Sequence, residues 1–210
     1  MADESKAPQS PESSKPDVSG SAPAPSAAGA PPSSPAKPAA PAPLQVPLDN
    51  ELTRRYRERF GSAVLDTLED RKQSILIVDA LQLVKIARYS RDEEKFDLLE
   101  DYTAVDWPRR EKRFDLVVQL YSFTHNARLR LKIPLGAGEI PETLVPIWPV
   151  ANWLEREIFD LFGIEFRGHP NLKRIMLPDE WQGHPLRKDY DILQQDTAWV
   201  RENLGIESGQ

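Results

Sequence analysis

The residues of this chain that are best able to do chemistry lie in its last third. Two Gly-His-Pro tripeptides, Gly168-His169-Pro170 and Gly183-His184-Pro185, carry two of its three histidines. With Asp179, Glu180 or Asp189 they could bind zinc or non-haem iron, since both metals accept imidazole and carboxylate ligands. Metal sites usually take their ligands at helical spacing or from facing strands. The pattern therefore favours histidines that anchor turns by hydrogen bonds.

A charged triplet, Glu155-Arg156-Glu157, lies within a predicted helix from Ala151 to Phe162. At about 100° per residue, Arg156 falls on the polar side with Asp160, whereas Glu157 falls on the apolar side with Trp153. An unpaired charge is costly to bury. Three interpretations of Glu157 stay open: a side chain that bends outward to water, a structural ion pair within or between chains, and proton chemistry.

Composition excludes several classes of function. The chain has 210 residues and no cysteine, which rules out disulfides, thiol nucleophiles and the thiolate ligands of iron–sulfur clusters. The sequence contains neither a nucleophilic serine motif nor a glycine-rich phosphate loop. The stripe Arg128, Arg130 and Lys132 could meet RNA. The net charge of −6 and the lack of stacking aromatics argue against nucleic acid as a partner.

The elements that must position these residues begin with two helices and a strand. Asn50 is predicted to cap a helix that ends at Gly61. Ser74 to Val78 is predicted to be a short buried strand, and Asp79 to cap a second helix. The acidic run Asp92-Glu93-Glu94 suits the positive end of one more short helix.

Three further strands are predicted, at Tyr102 to Trp107, Phe114 to Phe123 and Ala127 to Ile133. The last alternates strictly between Leu or Ile and Arg or Lys, and His125-Asn126 supplies a hairpin turn before it. Early helices followed by adjacent antiparallel strands predict an α+β fold class, with a helix and antiparallel-sheet sandwich over residues 48–150.

Two flanking segments differ from this domain. Residues 1–47 hold twelve of the twenty prolines together with Ala and Ser, which predicts a disordered tail with polyproline character. Residues 151–210 hold the predicted helix and then an extended, irregular arm from Gly163 onward. The arm keeps many apolar side chains on irregular backbone, so we expect it to be ordered only against a partner.

The sequence contains no recognisable targeting or membrane-spanning signal. The start, Met-Ala-Asp-Glu-Ser-Lys, leads into no apolar core. No stretch approaches the roughly 18 to 20 apolar residues that cross a bilayer. We expect a protein that is made and kept in the cytosol, with any membrane association indirect.

The last third of the chain resembles the 30 kDa subunit of respiratory complex I, the NADH:quinone oxidoreductase. The resemblance is specific there and extends more loosely back to about Asn50, so that the tail falls outside it. The residues that carry it are Trp148-Pro149, Asn152 to Glu157, Asp160, Phe162-Gly163-Ile164, Gly168-His169-Pro170, Lys173-Arg174-Ile175, Trp181 and the run from Gly183 to Tyr190.

The resemblance implies a structural subunit of the peripheral, quinone-reducing arm of a proton-pumping complex. The chain would hold no cofactor, because in that family FMN and iron–sulfur clusters lie in other subunits and carry electrons from NADH to quinone. Its partners would be chiefly the subunit termed D, and also those termed B and I, on the cytoplasmic side of a bacterial inner membrane. No catalytic residue is carried over. Structural or partner-binding roles are expected for Trp153, Glu155, Arg156, Glu157, His169, Arg174, Trp181, His184, Arg187, Lys188 and Asp189.

Three other functions stay open. An equivalent subunit of a related membrane complex, such as an energy-converting hydrogenase or a quinone reductase with another electron donor, would have a similar sequence. A stand-alone hydrolase or metal enzyme would use His169, His184 and Asp189. An RNA-binding sheet would use the stripe of Arg128, Arg130 and Lys132.

Overall fold

A six-stranded mixed sheet is the frame of the fold. The structure, a computed structural model, describes residues 45–191, 201–203 and 205, so most of the predicted tail lies outside the described residues. The helices are α1 Glu51–Phe60, α2 Leu83–Asp92 and α3 Ala151–Phe162, with 3-10 turns at Gly61–Ala63 and Ala80–Gln82. The strands are β1 Val46–Pro47, β2 Val64–Asp70, β3 Gln73–Val78, β4 Leu98–Asp106, β5 Phe114–Ser122 and β6 Ala127–Leu135.

The strands lie in the order β1-β2-β3-β6-β5-β4. Neighbouring strands are antiparallel except β3 and β6, which run parallel. A parallel pair cannot be joined by a tight turn, so α2 and the hairpin of β4 and β5 fill the connection between them. The predicted hairpin of β5 and β6 is confirmed, around a turn in which Asn126 has a φ of 46°.

The predicted caps lie at the start of α1 and at the start of the 3-10 turn that precedes α2. Asn50 Oδ1 accepts from the Thr53 N–H at 2.8 Å, and Thr53 Oγ1 accepts from the Asn50 N–H at 3.0 Å. This reciprocal pair satisfies two backbone donors at the start of α1. Asp79 Oδ1 accepts from the Leu81 N–H at 3.0 Å and starts the turn that leads into α2. Both predicted caps are confirmed.

One face of the sheet carries the core. The helices pack on this face through Tyr56 of α1, Ile86 of α2 and Ile158 of α3, which belong to a single hydrophobic cluster with the inward side chains of β3, β4, β5 and β6. The alternation predicted for β6 is confirmed, since its Leu and Ile residues are buried and its Arg and Lys residues are not. The fold class is α+β, as predicted.

Three local predictions differ from the structure. The sequence pattern misses β2, whose acidic residues leave no clean alternation. The run Asp92-Glu93-Glu94 starts no helix, because Asp92 ends α2 and the Glu94 carboxylate turns inward to accept from Arg55 at 2.7 Å and from Tyr89 at 2.6 Å. The predicted tail of residues 1–47 also ends too late, because residues 46 and 47 form β1 at the edge of the sheet. A proline is tolerated there, since an edge strand has a neighbouring strand on one side only.

Candidate functional site

Helix α3 is the element on which the predicted site residues converge. The helix ends before Gly163, as predicted. Gly163 has a φ of 69°, the left-handed conformation that glycine adopts without strain. The side chains of Glu155 and Asp160 are fully buried, whereas Glu157 is exposed. The prediction that Asp160 lies on the polar side and Glu157 on the apolar side is therefore wrong. The helical wheel fails because chain segments before and after α3 pack over the side that the sheet leaves open.

The Asp160 carboxylate holds the start of the arm. Its Oδ2 accepts from three consecutive backbone N–H groups, those of Ile175 at 2.9 Å, Met176 at 2.7 Å and Leu177 at 2.9 Å. Its Oδ1 accepts from Arg174 Nη1 at 2.6 Å. Burial alone would raise the pKa of Asp160, but these donors outweigh burial and hold the pKa below its ordinary value. A charged carboxylate therefore fixes this turn of the arm.

The second Gly-His-Pro segment caps the C-terminus of α3. The last carbonyls of a helix have no partner within it. His184 Nδ1 donates to the carbonyl of Asp160 at 2.9 Å. The Leu186 N–H and Arg187 Nε donate to the next two carbonyls, of residues 161 and 162. Because a carbonyl only accepts, Nδ1 of His184 carries the hydrogen, and burial lowers the pKa of this histidine. His184 is thus a hydrogen-bonding anchor, the role that the sequence favours.

The first Gly-His-Pro segment attaches to the other end of α3. His169 Nδ1 accepts from the Asn171 N–H at 3.1 Å, which leaves Nε2 to donate to the Asn152 carbonyl at 3.2 Å. Burial lowers the pKa of His169 as well. From position 152 to position 160 the helix rises about 12 Å, so the two histidines bind at separate places. Within the described ranges, no group of three or more His, Asp or Glu side chains could share a metal ion.

Two arginines tie the backbone of the arm together. Arg156 donates to the carbonyls of residues 173 and 174, both at 3.0 Å. Besides its contact with Asp160, Arg174 donates to the carbonyls of Trp181 and Gly183, each at 3.1 Å. Because each guanidinium presents several donors in a fixed plane, one side chain can bind two carbonyls of irregular backbone at once.

The end of the arm is held to the sheet. Arg113, just before β5, donates to both carboxylate oxygens of Asp189 at 2.9 and 2.6 Å, and to both oxygens of Asp106 at 2.8 Å. Asp106 also accepts from the Lys188 N–H at 2.7 Å. Hydrogen bonds from Arg113 hold the pKa of Asp106 and of Asp189 below their ordinary values. Residues 163–191, which we call the clamped arm, are thus anchored on their own chain, whereas the sequence predicted that only a partner would order the arm. The rest of the predicted arm, apart from residues 201–203 and 205, lies outside the described residues.

Glu155 is a second buried acid, and no cation pairs with it among the described residues. Its Oε2 accepts from Thr143 Oγ1 at 2.5 Å and its Oε1 from the Leu144 N–H at 2.6 Å. Burial raises the pKa of Glu155 to about 7, although these two donors pull it down. Glu155 therefore ties α3 to the preceding loop and can take up a proton near neutral pH.

The predicted residues divide into those that build the clamped arm and those that do not. Arg156, His169, Arg174, His184, Arg187 and Asp189 contribute side chains to it, Lys188 and Trp181 contribute backbone groups, and Glu155 holds α3 to the preceding loop. Trp153 and Glu157 lie on the exposed side of α3, where the Arg156 guanidinium stacks 5.3 Å from the centre of the Trp153 ring.

Sequence reasoning missed four contributing residues, namely Asp106, Arg113, Thr143 and Asp160. Asp106 and Arg113 lie far along the chain from the arm, and no local pattern indicates such a contact. Asp160 did carry a signal. An acid in the last turn of a helix opposes the negative end of the helix dipole, so its presence there indicates a compensating set of donors.

The clamped arm presents apolar side chains to the outside. Met176 is 63% exposed, Leu186 47% and Ile175 36%. We call these three residues the arm surface. Because the Asp160 carboxylate binds the backbone of Ile175 and Met176, their side chains are held outward on a fixed backbone.

The RNA-binding alternative loses support from the charges around its stripe. Arg128 pairs with Glu100 at 3.0 Å, and Arg130 lies 3.8 Å from Asp70. Two of the three cations are thus neutralised within the chain, and a nucleic acid would have to displace these carboxylates.

Comparison with known proteins gives a consistent result. The family model described as "Respiratory-chain NADH dehydrogenase, 30 Kd subunit" matches residues 76–196. The NADH-quinone oxidoreductase subunit of Geotalea uraniireducens that is named C is 42% identical over 149 residues, which cover 70% of this chain and 91% of that protein. The NADH-quinone oxidoreductase subunit of Bdellovibrio bacteriovorus that is named C/D is 47% identical over 110 residues, covering 52% of this chain and 20% of that protein.

A solved structure is also similar. A chain of the membrane-bound sulfane sulfur reductase, an archaeal respiratory membrane complex, matches with a TM-score of 0.60 and 26% identity over 74% of this chain and 91% of its own. The residues of the clamped arm lie within the range of the family model. The chain therefore belongs to the family of the respiratory-chain NADH dehydrogenase 30 Kd subunit, whose relatives are named NADH-quinone oxidoreductase with the subunit letter C.

Proposed function

We propose that this chain is a structural subunit of the peripheral, quinone-reducing arm of a proton-pumping NADH:quinone oxidoreductase. Other subunits of the complex would bind NADH, FMN, the iron–sulfur clusters and the quinone. This chain would contribute a rigid surface on which its neighbours assemble. It would be part of an oxidoreductase without itself holding a reacting group.

This proposal rests on what the charged side chains near α3 and the arm bind. Asp160, Arg174 and Arg113 direct their donors and acceptors at backbone and at one another. Such contacts fix shape, and the shape they fix holds the arm surface outward. Exposed apolar side chains on a rigid backbone are typical of an interface, because little conformational entropy is lost when a partner covers them.

The partner that we place against the arm surface is the subunit termed D, with those termed B and I nearby. The Bdellovibrio relative supports this choice, because its name joins the letters C and D. Two subunits that are joined in one polypeptide are kept close together by the chain that links them.

We propose further that the chain reaches the membrane through these partners, on the cytoplasmic side of a bacterial inner membrane. Within residues 45–191, 201–203 and 205, no helix is both long enough and apolar enough to cross a bilayer. Attachment would then depend on protein contacts, which chaotropic salts weaken.

A second candidate is the equivalent subunit of a related membrane complex with another electron donor. The likeness to a chain of the sulfane sulfur reductase favours it, because one subunit fold would then serve complexes with different chemistry. Fold alone does not fix the donor.

The experiment that tests the proposal is purification of the tagged chain from solubilised membranes, followed by native gels and mass spectrometry. We expect a large complex that contains the subunits termed D, B and I and oxidises NADH with quinone as acceptor. A complex that uses another donor would support the second candidate. A chain that purifies alone would contradict both.

An interface variant sharpens this test. Met176→Glu puts a charge on the arm surface at a side chain that is 63% exposed, so folding should be unaffected while less complex assembles. Leu81→Glu is the matched control, because Leu81 is 87% exposed and lies outside the arm. Equal assembly in the two variants would count against the arm surface as an interface.

A further inference from the structure

The loop of residues 141–147, which we call the Thr143 loop, is bonded on one side to α3 and on the other side to the start of the clamped arm. Glu155 of α3 accepts from Thr143 Oγ1 at 2.5 Å and from the Leu144 N–H at 2.6 Å. The Arg167 N–H of the arm donates to the carbonyl of residue 141 at 2.8 Å, and the Thr143 N–H donates to the Arg167 carbonyl at 3.0 Å. The Glu155 carboxyl therefore lies where helix, loop and arm meet.

This carboxyl is buried with few donors. Glu155 and Asp160 of the same helix are both fully buried. Asp160 accepts from four donors, of which one is the Arg174 guanidinium, and it stays charged. Glu155 has two neutral donors, although a carboxylate can accept about four hydrogen bonds. A buried carboxylate with so few donors binds a proton more readily than an exposed one.

Both contacts of Glu155 survive protonation. The Thr143 hydroxyl can accept as well as donate, so that the protonated acid donates to Thr143 Oγ1 while it still accepts from the Leu144 N–H. Loss of the proton keeps the same two partners but adds a charge that water would solvate better. The deprotonated acid therefore favours a state in which the loop has moved away and water reaches the carboxylate.

The neighbouring parts of β4 and α3 supply no compensating charge. Tyr102 of β4 stays neutral, because burial and the nearby Glu155 raise its pKa well above the ordinary value. Its buried hydroxyl makes no hydrogen bond with the described residues. On α3, Arg156 donates to the carbonyls of residues 173 and 174, and Glu157 is exposed.

The loop and the arm supply none either. Glu142 of the loop and Arg167 of the arm are exposed, so solvent screens their charges. His169 donates from Nε2 to the Asn152 carbonyl, and burial lowers its pKa. The pKa of Glu155 accordingly responds to burial and to its two hydrogen bonds, and to no charged neighbour among the described residues.

We propose that Glu155 is a pH-sensitive switch for the Thr143 loop: the protonated acid holds the loop on α3, and loss of the proton near neutral pH favours release of the loop together with the first residues of the arm. The switch goes beyond the proposed function, because it concerns the conformation of this chain and holds whichever complex the chain joins.

The switch changes how often the loop opens and leaves its average position unchanged. Leu144 is fully buried, and Arg91 of α2 donates to the Ile147 carbonyl at 2.7 Å, so other contacts hold the loop at every pH. Burial raises the pKa of Glu155 to about 7 in the closed state, from an ordinary value of 4.5 that water restores in the open state. The stabilisation of the closed state is complete below pH 4.5 and is lost as the pH rises through 7. From pH 6 to pH 8 the open population should therefore rise about tenfold.

Hydrogen exchange of the Leu144 and Arg167 amides in the full-length chain tests the proposal, with each rate corrected for the intrinsic pH dependence of exchange. Their protection should fall about tenfold from pH 6 to pH 8 in the wild type. It should not change in Glu155→Gln, whose side chain does not titrate. Glu157→Gln is the matched control, because Glu157 is an exposed acid on the same helix, and it should behave like the wild type. Constant protection in the wild type, or an equal fall in Glu155→Gln, overturns the proposal.

Amides of the central strand β6 separate local opening from unfolding of the whole chain. If the loop opens by itself, the Leu144 amide exchanges faster than the amides of β6 at both pH values. Equal protection of the loop and of β6 would mean that the loop opens only when the whole chain unfolds, which also overturns the switch.

A second measurement needs no variant, so it decides the matter even if Glu155→Gln does not fold. The carboxyl carbon of Glu155 is followed by NMR in the wild-type chain as the pH is raised. Its midpoint should lie at about 7. A midpoint at the ordinary value of 4.5 overturns the proposal and leaves the proposed function intact.

Discussion

Asp160→Asn removes the charge at the centre of the clamped arm while keeping the size of the side chain. The amide oxygen can replace Oδ2 and accept from the backbone N–H groups of residues 175 to 177. The amide nitrogen then takes the place of Oδ1, which accepts from Arg174 Nη1 at 2.6 Å. Two donors would face each other there, and Arg174 would lose its only anionic partner among the described residues.

The size of the effect follows from this geometry. Breaking a buried ion pair by removing one partner costs about 3 to 5 kcal/mol. The Arg174 side chain is 16% exposed and keeps three carbonyl acceptors, those of Asp160, Trp181 and Gly183, so the low end of this range applies. A loss of about 3 kcal/mol in the free energy that holds the arm closed raises its open population about 100-fold.

Hydrogen exchange of the amides of Ile175, Met176 and Leu177 measures this population. Their exchange should accelerate about 100-fold in Asp160→Asn, while amides of the central strands keep their rates. Limited trypsin digestion at Arg174 should accelerate in parallel, because cleavage requires the same local opening. Asp179→Asn is the matched control, since Asp179 is an exposed carboxylate in the same arm.

Wild-type exchange rates at these three amides in Asp160→Asn would refute the reasoning. They would mean that the arm is held by packing and that the buried carboxylate adds little. Acceleration of equal size in Asp179→Asn would also refute it, because the effect would then reflect the net charge of the arm.

Three further predictions concern stability. Burial raises the pKa of Glu155 to about 7 from an ordinary value of 4.5, so the stability that its proton contributes is complete below pH 4.5 and is lost as the pH rises through 7. Between pH 5 and 8, Glu155→Gln should therefore gain up to about 3 kcal/mol relative to the wild type, and parallel melting curves against pH would contradict this. Gly163→Ala should destabilise the arm by about 1 to 3 kcal/mol, because φ is 69° and the added Cβ would lie 2.5 Å from the His184 ring; unchanged melting and trypsin resistance would count against it. Deleting residues 1–44 should leave the melting temperature unchanged, whereas deleting 1–47 also removes β1 and should lower it, so that a drop with the shorter deletion would show a structural role for the tail.

Local signals in the sequence predict several elements of the fold well. The cap at Asn50, the strict alternation of β6 and the helix end at Gly163 each depend on a few neighbouring residues, and the structure confirms them. The parallel pairing of β3 and β6 is not local. It depends on which strands a crossover brings together, and no short pattern in either strand encodes that choice.

The candidate site is predicted less well, for a related reason. The helical wheel of α3 assumes that one side of the helix is buried and the other is exposed to water. It therefore places Glu157 on the buried side and Asp160 on the exposed side. In the structure the helix is covered by the sheet, by the loop that contains Thr143 and by the arm. An acid on such a helix can be buried if the covering segments bring donors, as they do for Asp160. Those donors are backbone groups, which have no signature in the sequence.

The central claim, that this chain acts as a structural subunit through its arm, is tested most directly by Trp181→Ala. Trp181 is half-buried in the clamped arm, and tryptophan is enriched among the residues that anchor interfaces. The measurement is NADH:quinone reductase activity divided by the amount of assembled complex on native gels. We predict that complex and activity fall together, so that each assembled copy works at the wild-type rate. A variant that assembles fully and is inactive would mean that the arm takes part in catalysis, and would contradict the claim.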